Sequence, residues 1–291
     1  MSEAQSIQWF PGHMAKTRRQ IEQSLKQVDA VAELVDARIP VSSRNPVLDS
    51  IIQKKPRVIL LNKADMADPV QTKRWIAAYQ AQGILAAPAD CRSGKGVQGV
   101  LPLVREALKE KIAAWEAKGM TGRVIRVMVV GIPNVGKSSF INRISRGGKA
   151  EVEDRPGVTR TNRWFSAGKG MEILDTPGVL WPKFEDKRVG EYLAFTGAVR
   201  DAVVDIETLA GRLIETLAPM YPGALEARYK LEPGELDGLP GYEGLERIGR
   251  RRGMLVSGGQ VNTERAAAAV LDEFRGGKLG RITLEPAPMP E

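Results

Sequence analysis

Residues Gly131-Ile132-Pro133-Asn134-Val135-Gly136-Lys137-Ser138 set two glycines, a lysine and a hydroxyl in the spacing GxxxxGK[ST], directly after an apolar run. That spacing turns backbone N–H groups inward around a phosphate, and a following helix adds the positive end of its dipole. Gly136 permits the close approach, Lys137 neutralises the outer phosphate oxygens, and Ser138 offers a hydroxyl to Mg²⁺. Asn134, Val135 and Ser139 complete the lining. A Gly-rich turn would read the same without the strand before it and the helix after it. Asp175-Thr176-Pro177-Gly178 closes the next apolar run, where a carboxylate reaches the same Mg²⁺ through water and the Gly178 N–H meets the terminal phosphate. On its own that tetrapeptide is an ordinary turn; beyond a phosphate cradle it gains meaning.

Asn62-Lys63-Ala64-Asp65 also ends an apolar run. Its aspartate can accept from guanine N1–H and N2–H₂. Adenine presents neither donor, so a buried Asp65 would be left unpaired by it. The Lys63 methylenes can cover the base, Ala64 spaces the two, and Asn62 can tie this loop to the phosphate loop. An Asx turn explains the tetrapeptide alone; beside the cradle, GTP is preferred over ATP. Asp90 and Cys91, opening Asp90-Cys91-Arg92-Ser93-Gly94, are expected to complete the pocket with a backbone N–H aimed at guanine O6. Cys91 is equally readable as a small buried apolar residue.

These loops need a scaffold. Ile21, Leu25 and Val28 fall at helical spacing within residues 16–28, and Ala30–Val35, Arg57–Leu61, Ile84–Ala87, Val124–Val130 and Met171–Leu174 read as strands. Residues 75–81 and one long stretch, Val100–Ala117, read as helices. The alternation implies an α/β domain with a mainly parallel sheet and helices on both faces, with ligands beyond the carboxyl ends of the strands. Past residue 200 the spacing of Ile206, Leu209, Ala210, Leu213, Ile214 and Leu217, and then of residues 264–274, is helical throughout.

The chain has 291 residues, 43% apolar and 27% charged, an ordinary globular mix for two domains. Its single cysteine excludes an internal disulfide and fits a reducing compartment. No run approaches the length of a membrane span, and the start lacks a secretory pattern. The expectation is a cytoplasmic monomer with no membrane span. A net charge of +8 suits a polyanionic partner.

The order of the motifs is unusual: NKAD precedes the phosphate loop, whereas Ras-like GTPases place it last. The chain therefore resembles the circularly permuted GTPases. WFPGHMAK, VDARIP, SRNP, NKAD, GIPNVGKSS, PGVTR, DTPGV and the late RGGKLGRITLE together resemble the ribosome biogenesis GTPase A (YlqF) group, over nearly the whole chain. The resemblance implies a circularly permuted Ras-like P-loop GTPase domain and a small all-helical RNA-binding domain. It also implies a role late in assembly of the bacterial large (50S) ribosomal subunit. The expected division is an N-terminal segment at 1–19, the GTPase domain at 20–190, the helical domain at 200–285 and a disordered tail at 286–291.

Val179 and Leu180 occupy the place where Ras-type proteins carry a water-positioning Gln, so intrinsic hydrolysis is expected to be slow. His13, the only histidine, lies in an apolar N-terminal hook and reads from composition as structural. The resemblance reverses this, because the family's catalytic histidine sits in the same PGH context. Asn134 is either a turn residue or, as in potassium-dependent GTPases, a K⁺ ligand. Thr159 is the expected switch hydroxyl for Mg²⁺, ahead of Thr161, because the family pattern PGxTR places it before the Arg.

Arg247, Arg250, Arg251 and Arg252 form the densest basic cluster, with Arg275, Lys278 and Arg281 beyond the last helix and Lys16, Arg18 and Arg19 near His13. With the net charge and the resemblance they point to rRNA phosphates. The leading expectation is a GTPase that binds GTP and GDP, assembles on precursor large subunits in a GTP-dependent way and leaves after hydrolysis. The alternative is a GTP-gated RNA-binding scaffold with negligible turnover. A metabolic kinase would need an acceptor site that the sequence does not offer.

Overall fold

The computed structural model describes residues 19, 21–52, 55–145, 163–168, 170–176, 178, 186–199 and 205–288. The described residues form two units. One runs up to residue 178 and takes back residues 285–288; the other spans residues 186–284.

The first unit is a six-stranded sheet of β1 (Ala30–Asp36), β2 (Arg57–Asn62), β3 (Leu85–Pro88), β4 (Ile125–Val130), β5 (Arg163–Gly168) and β6 (Met171–Asp175), in the order β3-β2-β1-β4-β6-β5. All neighbouring pairs are parallel except β5 with β6. Every residue of β1 is buried, as a parallel strand covered on both faces requires. Val31 joins an apolar cluster with Leu48, Ile52, Met128 and Leu174. Val35 joins another with Ile59, Leu61, Trp75 and Tyr79. Ala32 and Leu34 point to the opposite face by strand alternation and are buried too.

Helices α1 (Pro46–Ile52), α2 (Pro69–Ala81), α3 (Val100–Ala107), α4 (Lys109–Ala117) and α5 (Lys137–Ile144) connect the strands. The Asp68 side chain caps α2 by accepting from Val70 N and Gln71 N, and Pro69 suits the first turn. The stretch expected as one helix at 100–117 is two. At Leu108 the backbone leaves the helix (φ −104°, ψ 6°), and both Leu108 and Trp115 stay buried across the bend. The Arg123 guanidinium lies 4.1 Å from the Trp115 ring centre. Strand β5 and helix α1 are additions to the sequence reading. β5 is an edge strand with half of its residues exposed, so it lacks the continuous apolar run that marks its neighbours.

The second unit contains α6 (Lys187–Phe195), α7 (Ile206–Met220), α8 (Pro222–Tyr229), α9 (Gly241–Arg251) and α10 (Thr263–Arg275), with α7 packed against the other four. Gly211 and Gly241 let α7 and α9 touch backbone to backbone: a Cβ on Gly241 would lie 2.4 Å from the Gly211 carbonyl oxygen. The helical unit thus begins earlier than residue 200.

The tail also differs from expectation. Ala287 is buried, its N–H donates to Gln71 Oε1 at 2.9 Å, and Glu285 packs on the loop after β1. Residues 286–288 are therefore held on the sheet unit, because the polar groups of Glu285 and Ala287 find partners there. Residues 289–291, like residues 1–18, lie outside the described part. Among the described residues no helix is long and apolar enough to cross a membrane.

Candidate nucleotide site

The phosphate loop links β4 to α5. Gly131 (φ 155°) passes so close to β1 that a Cβ would stand 2.7 Å from the Leu34 carbonyl oxygen. Asn134 (φ 56°) and Gly136 (φ 102°) take left-handed conformations that curl the loop. Lys137 opens α5 and is buried; its Nζ donates to the Gly131 and Ile132 carbonyl oxygens at 3.1 and 2.8 Å. Burial pulls its pKa down to about 8, against the opposing pull of the Asp175 carboxylate. Ser138 and Ser139 follow in the first turn, both half-buried.

Asp175 ends β6, buried, and the next residue anchors the turn: Thr176 Oγ1 donates to the Val129 carbonyl oxygen at 2.6 Å. Gly178 comes down on the cradle, where a Cβ would meet Lys137 Nζ at 2.8 Å and Pro133 N at 3.0 Å. The two phosphate-side motifs are thus in contact.

The base-side motifs converge on the same loop through Asn62. This buried amide donates from Nδ2 to the Val135 carbonyl oxygen at 2.7 Å, and its Oδ1 accepts the Cys91 N–H at 2.9 Å. Ala64 N donates to the Ala89 carbonyl oxygen, fastening the NKAD loop to the strand end that carries Asp90. Asp65 is exposed. Lys63 takes a left-handed conformation (φ 59°), and its Nζ lies 3.0 Å from Asp36 Oδ2.

One expectation needs correcting. The N–H groups around Cys91 are committed within the protein: Cys91 N–H goes to Asn62, and those of Arg92 and Ser93 go to Asp90 Oδ1 at 2.8 and 3.1 Å. Asp90 therefore shapes its loop. Cys91 is buried, with its thiol pushed up to about 12 by burial, so it behaves as a small apolar residue. The sequence assigns Asp36 and Arg38 no role beyond their place in VDARIP, just past the apolar run Ala30–Val35. A buried carboxylate–guanidinium pair leaves no periodic signal in a sequence.

Residues 126–217 match the family described as 50S ribosome-binding GTPase. A curated relative from Bacillus cereus, ribosome biogenesis GTPase A, is 47% identical over 96% of this chain and 93% of its own length. The chain belongs to the ribosome biogenesis GTPase A family. The mitochondrial ribosome-associated GTPase 1 of Xenopus tropicalis is 33% identical over 97% of the chain and 96% of its own. The solved GNP-bound structure of YlqF from T. maritima matches with a TM-score of 0.67 at 28% identity, over 94% of this chain and 98% of that one.

A member of the ribosome biogenesis GTPase A family is a GTPase, and such domains act on the magnesium complex of the nucleotide. Hard oxygen donors suit that ion, and the Ser138 hydroxyl beside the cradle and the buried Asp175 carboxylate are of this kind. His13, Thr159, Thr161, Val179 and Leu180 lie outside the described residues.

In the helical unit the basic cluster is laced to acids. Arg247 and Arg251 pair with Glu235 at 3.5 and 3.2 Å, and Arg252 and Arg228 pair with Glu273 at 3.0 and 2.5 Å. Arg250 and Lys278 are exposed. Arg275 is spent on structure, donating to the Phe195 and Ala194 carbonyl oxygens at 3.1 and 2.9 Å, which closes the end of α6.

Proposed function

We propose that this GTPase is an assembly factor for the large (50S) ribosomal subunit, binding precursor particles in the GTP state and leaving after hydrolysis. The observation that carries the nucleotide half of this reading is the Asn62 bridge, which joins the guanine-type loop to the phosphate loop. The ribosomal half is supported by the names of the relatives, 50S ribosome-binding GTPase and ribosome biogenesis GTPase A.

Within that reading, Asp65 selects guanine, Asn62, Lys63 and Ala64 frame the base, and Lys137 with the amides of Asn134 to Ser139 holds the phosphates. Ser138, Thr159 and Asp175 would hold Mg²⁺, which when bound offsets charge on the outer phosphates. Gly178 N–H meets the terminal phosphate. His13 orients the attacking water, since Val179 and Leu180 have no side-chain group able to do so. Asn134, open between a turn residue and a K⁺ ligand, is the candidate should K⁺ take part. Arg247, Arg250, Arg251, Arg252 and Lys278 contact rRNA; the exposed pairs that Arg247 and Arg251 make are weak enough to exchange for phosphate. The protein acts as a cytoplasmic monomer.

The test is co-sedimentation with large subunits in GDP and in a non-hydrolysable GTP analogue, together with phosphate release with and without subunits. The expected result is retention by the analogue and stimulated release. Undetectable release in both conditions would make the protein a GTP-gated scaffold, and no retention in either nucleotide would overturn the ribosomal role.

A further inference from the structure

Asp36 ends β1 directly across from Asn62, the first residue of the NKAD loop, and Ala37 N donates to the Asn62 carbonyl oxygen at 2.8 Å. The Asp36 carboxylate is buried and fixed on every side. Its Oδ1 accepts from Arg38 N at 3.0 Å and Arg38 Nε at 2.9 Å, and its Oδ2 accepts from Arg38 Nη2 at 2.8 Å. Arg38 is itself among the most buried side chains. The Asp36 N–H donates to Ser43 Oγ at 2.9 Å, and Ser43 Oγ donates to the Ile39 carbonyl oxygen at 2.6 Å, so the loop behind the carboxylate cannot swing. Glu285 clamps that loop from outside, accepting from Val41 N at 2.6 Å and Ser42 N at 3.0 Å.

The remaining acceptor site of Asp36 goes to the ammonium of Lys63 at 3.0 Å. Arg38 alone would suffice to neutralise the carboxylate, so the second cation is not needed for charge balance. Lys63 is part-exposed, so its ammonium had water as an alternative. Its backbone is left-handed, a costly conformation for a residue with a Cβ, which persists only where the surroundings hold it. Lys63 is therefore held at both ends, by its backbone and by Asp36. A stem pinned at both ends loses its rotamer freedom before a base arrives, so binding does not have to order it.

We propose that Asp36 is a positioning residue of the guanine pocket, acting through Lys63 to preset the wall against which the base stacks. The inference rests on the guanine-nucleotide reading of the site. It adds to that reading a buried residue outside NKAD that sets nucleotide affinity. Burial raises the Asp36 pKa, but the Arg38 and Lys63 cations more than offset it and hold the carboxyl well below the usual range, so the clamp stays charged at any working pH.

The experiment measures equilibrium binding of fluorescent GDP to the full chain as wild type, Asp36→Asn, Lys63→Ala and the double variant, with thermal melting as the check on folding. Asp36→Asn should weaken GDP roughly tenfold, the scale of one charge-assisted hydrogen bond. The double variant should bind no more weakly than Lys63→Ala alone, because both changes remove one interaction. KM for GTP should rise while kcat at saturation holds, since the clamp acts on the base. If Asp36→Asn leaves a lone buried Arg38 and fails to fold, Asp36→Asn with Arg38→Gln removes both charges, and the same loss of affinity is expected from it. A folded variant lacking the Asp36 charge that binds GDP like wild type, or additive losses in the double variant, would overturn the proposal. Wild-type protein that does not bind GDP would instead overturn the guanine reading beneath it.

Discussion

The Asn62 amide donates to the Val135 carbonyl oxygen at 2.7 Å, across 73 residues of chain. This bond does for the permuted order of motifs what chain continuity cannot: it sets the base loop and the phosphate loop at a fixed spacing. Asn62→Ala would strip the buried Cys91 N–H of its acceptor and Val135 of its donor, at a cost of roughly 1–3 kcal/mol. Asn62→Asp would keep the acceptor for Cys91 but turn a carboxylate oxygen toward the Val135 carbonyl. Both should lower the melting temperature and weaken GDP, and unchanged affinity in a folded Asn62→Ala protein would separate the two loops functionally.

Asp65 is exposed rather than buried as the sequence suggested, so in the proposed function its carboxylate is open to a base. Asp65→Asn should weaken GTP by at least roughly tenfold, because two donors of guanine lose a charged acceptor. Preference should shift toward xanthosine triphosphate, whose altered 2-position suits an amide. Competition of both nucleotides against a fluorescent analogue reads this directly.

Lys137 links the site to pH. Burial lowers its pKa from 10.5 to about 8. Between those values the unfolded chain binds more protons than the folded one, so stability of the nucleotide-free protein should rise with pH across that window. Phosphates beside the ammonium restore the charged form, so nucleotide binding should take up protons near and above pH 8. Calorimetry in two buffers of different ionisation enthalpy should show this uptake at about pH 9 and almost none at about pH 6. Equal uptake at both would place the titrating group elsewhere.

His13→Ala should lower subunit-stimulated hydrolysis by about 10²-fold, the scale for one positioned proton acceptor. GTP affinity should hardly change, since in the proposed role the imidazole acts on the transition state. The comparison is phosphate release with and without large subunits at matched nucleotide occupancy; an equal response of both proteins would make His13 structural.

Glu285 predicts a role for the C-terminal residues. Its carboxylate accepts from the Val41 and Ser42 amides, and its carbonyl oxygen accepts from Trp75 Nε1 at 2.8 Å. Glu285→Ala should destabilise the sheet unit by roughly 1–2 kcal/mol. Glu285→Gln, which keeps an acceptor of the same reach, should cost less. Chemical denaturation of both variants tests the order.

Sequence alone determined the strands and the motifs at their ends. β1, β2 and β4 are legible because a strand covered on both faces is mostly apolar, and NKAD, GIPNVGKS and DTPG stand out because phosphate and guanine demand particular residues at particular spacings. What the sequence leaves open is pairing between distant residues. The bend at Leu108, the edge strand β5, the clamp of Asp36 on Lys63 and the return of Glu285 to the loop after β1 carry no local pattern. Each depends on a partner brought near by the fold, and the energy of a buried polar contact lies in its geometry and its exclusion of water, which only the tertiary structure decides.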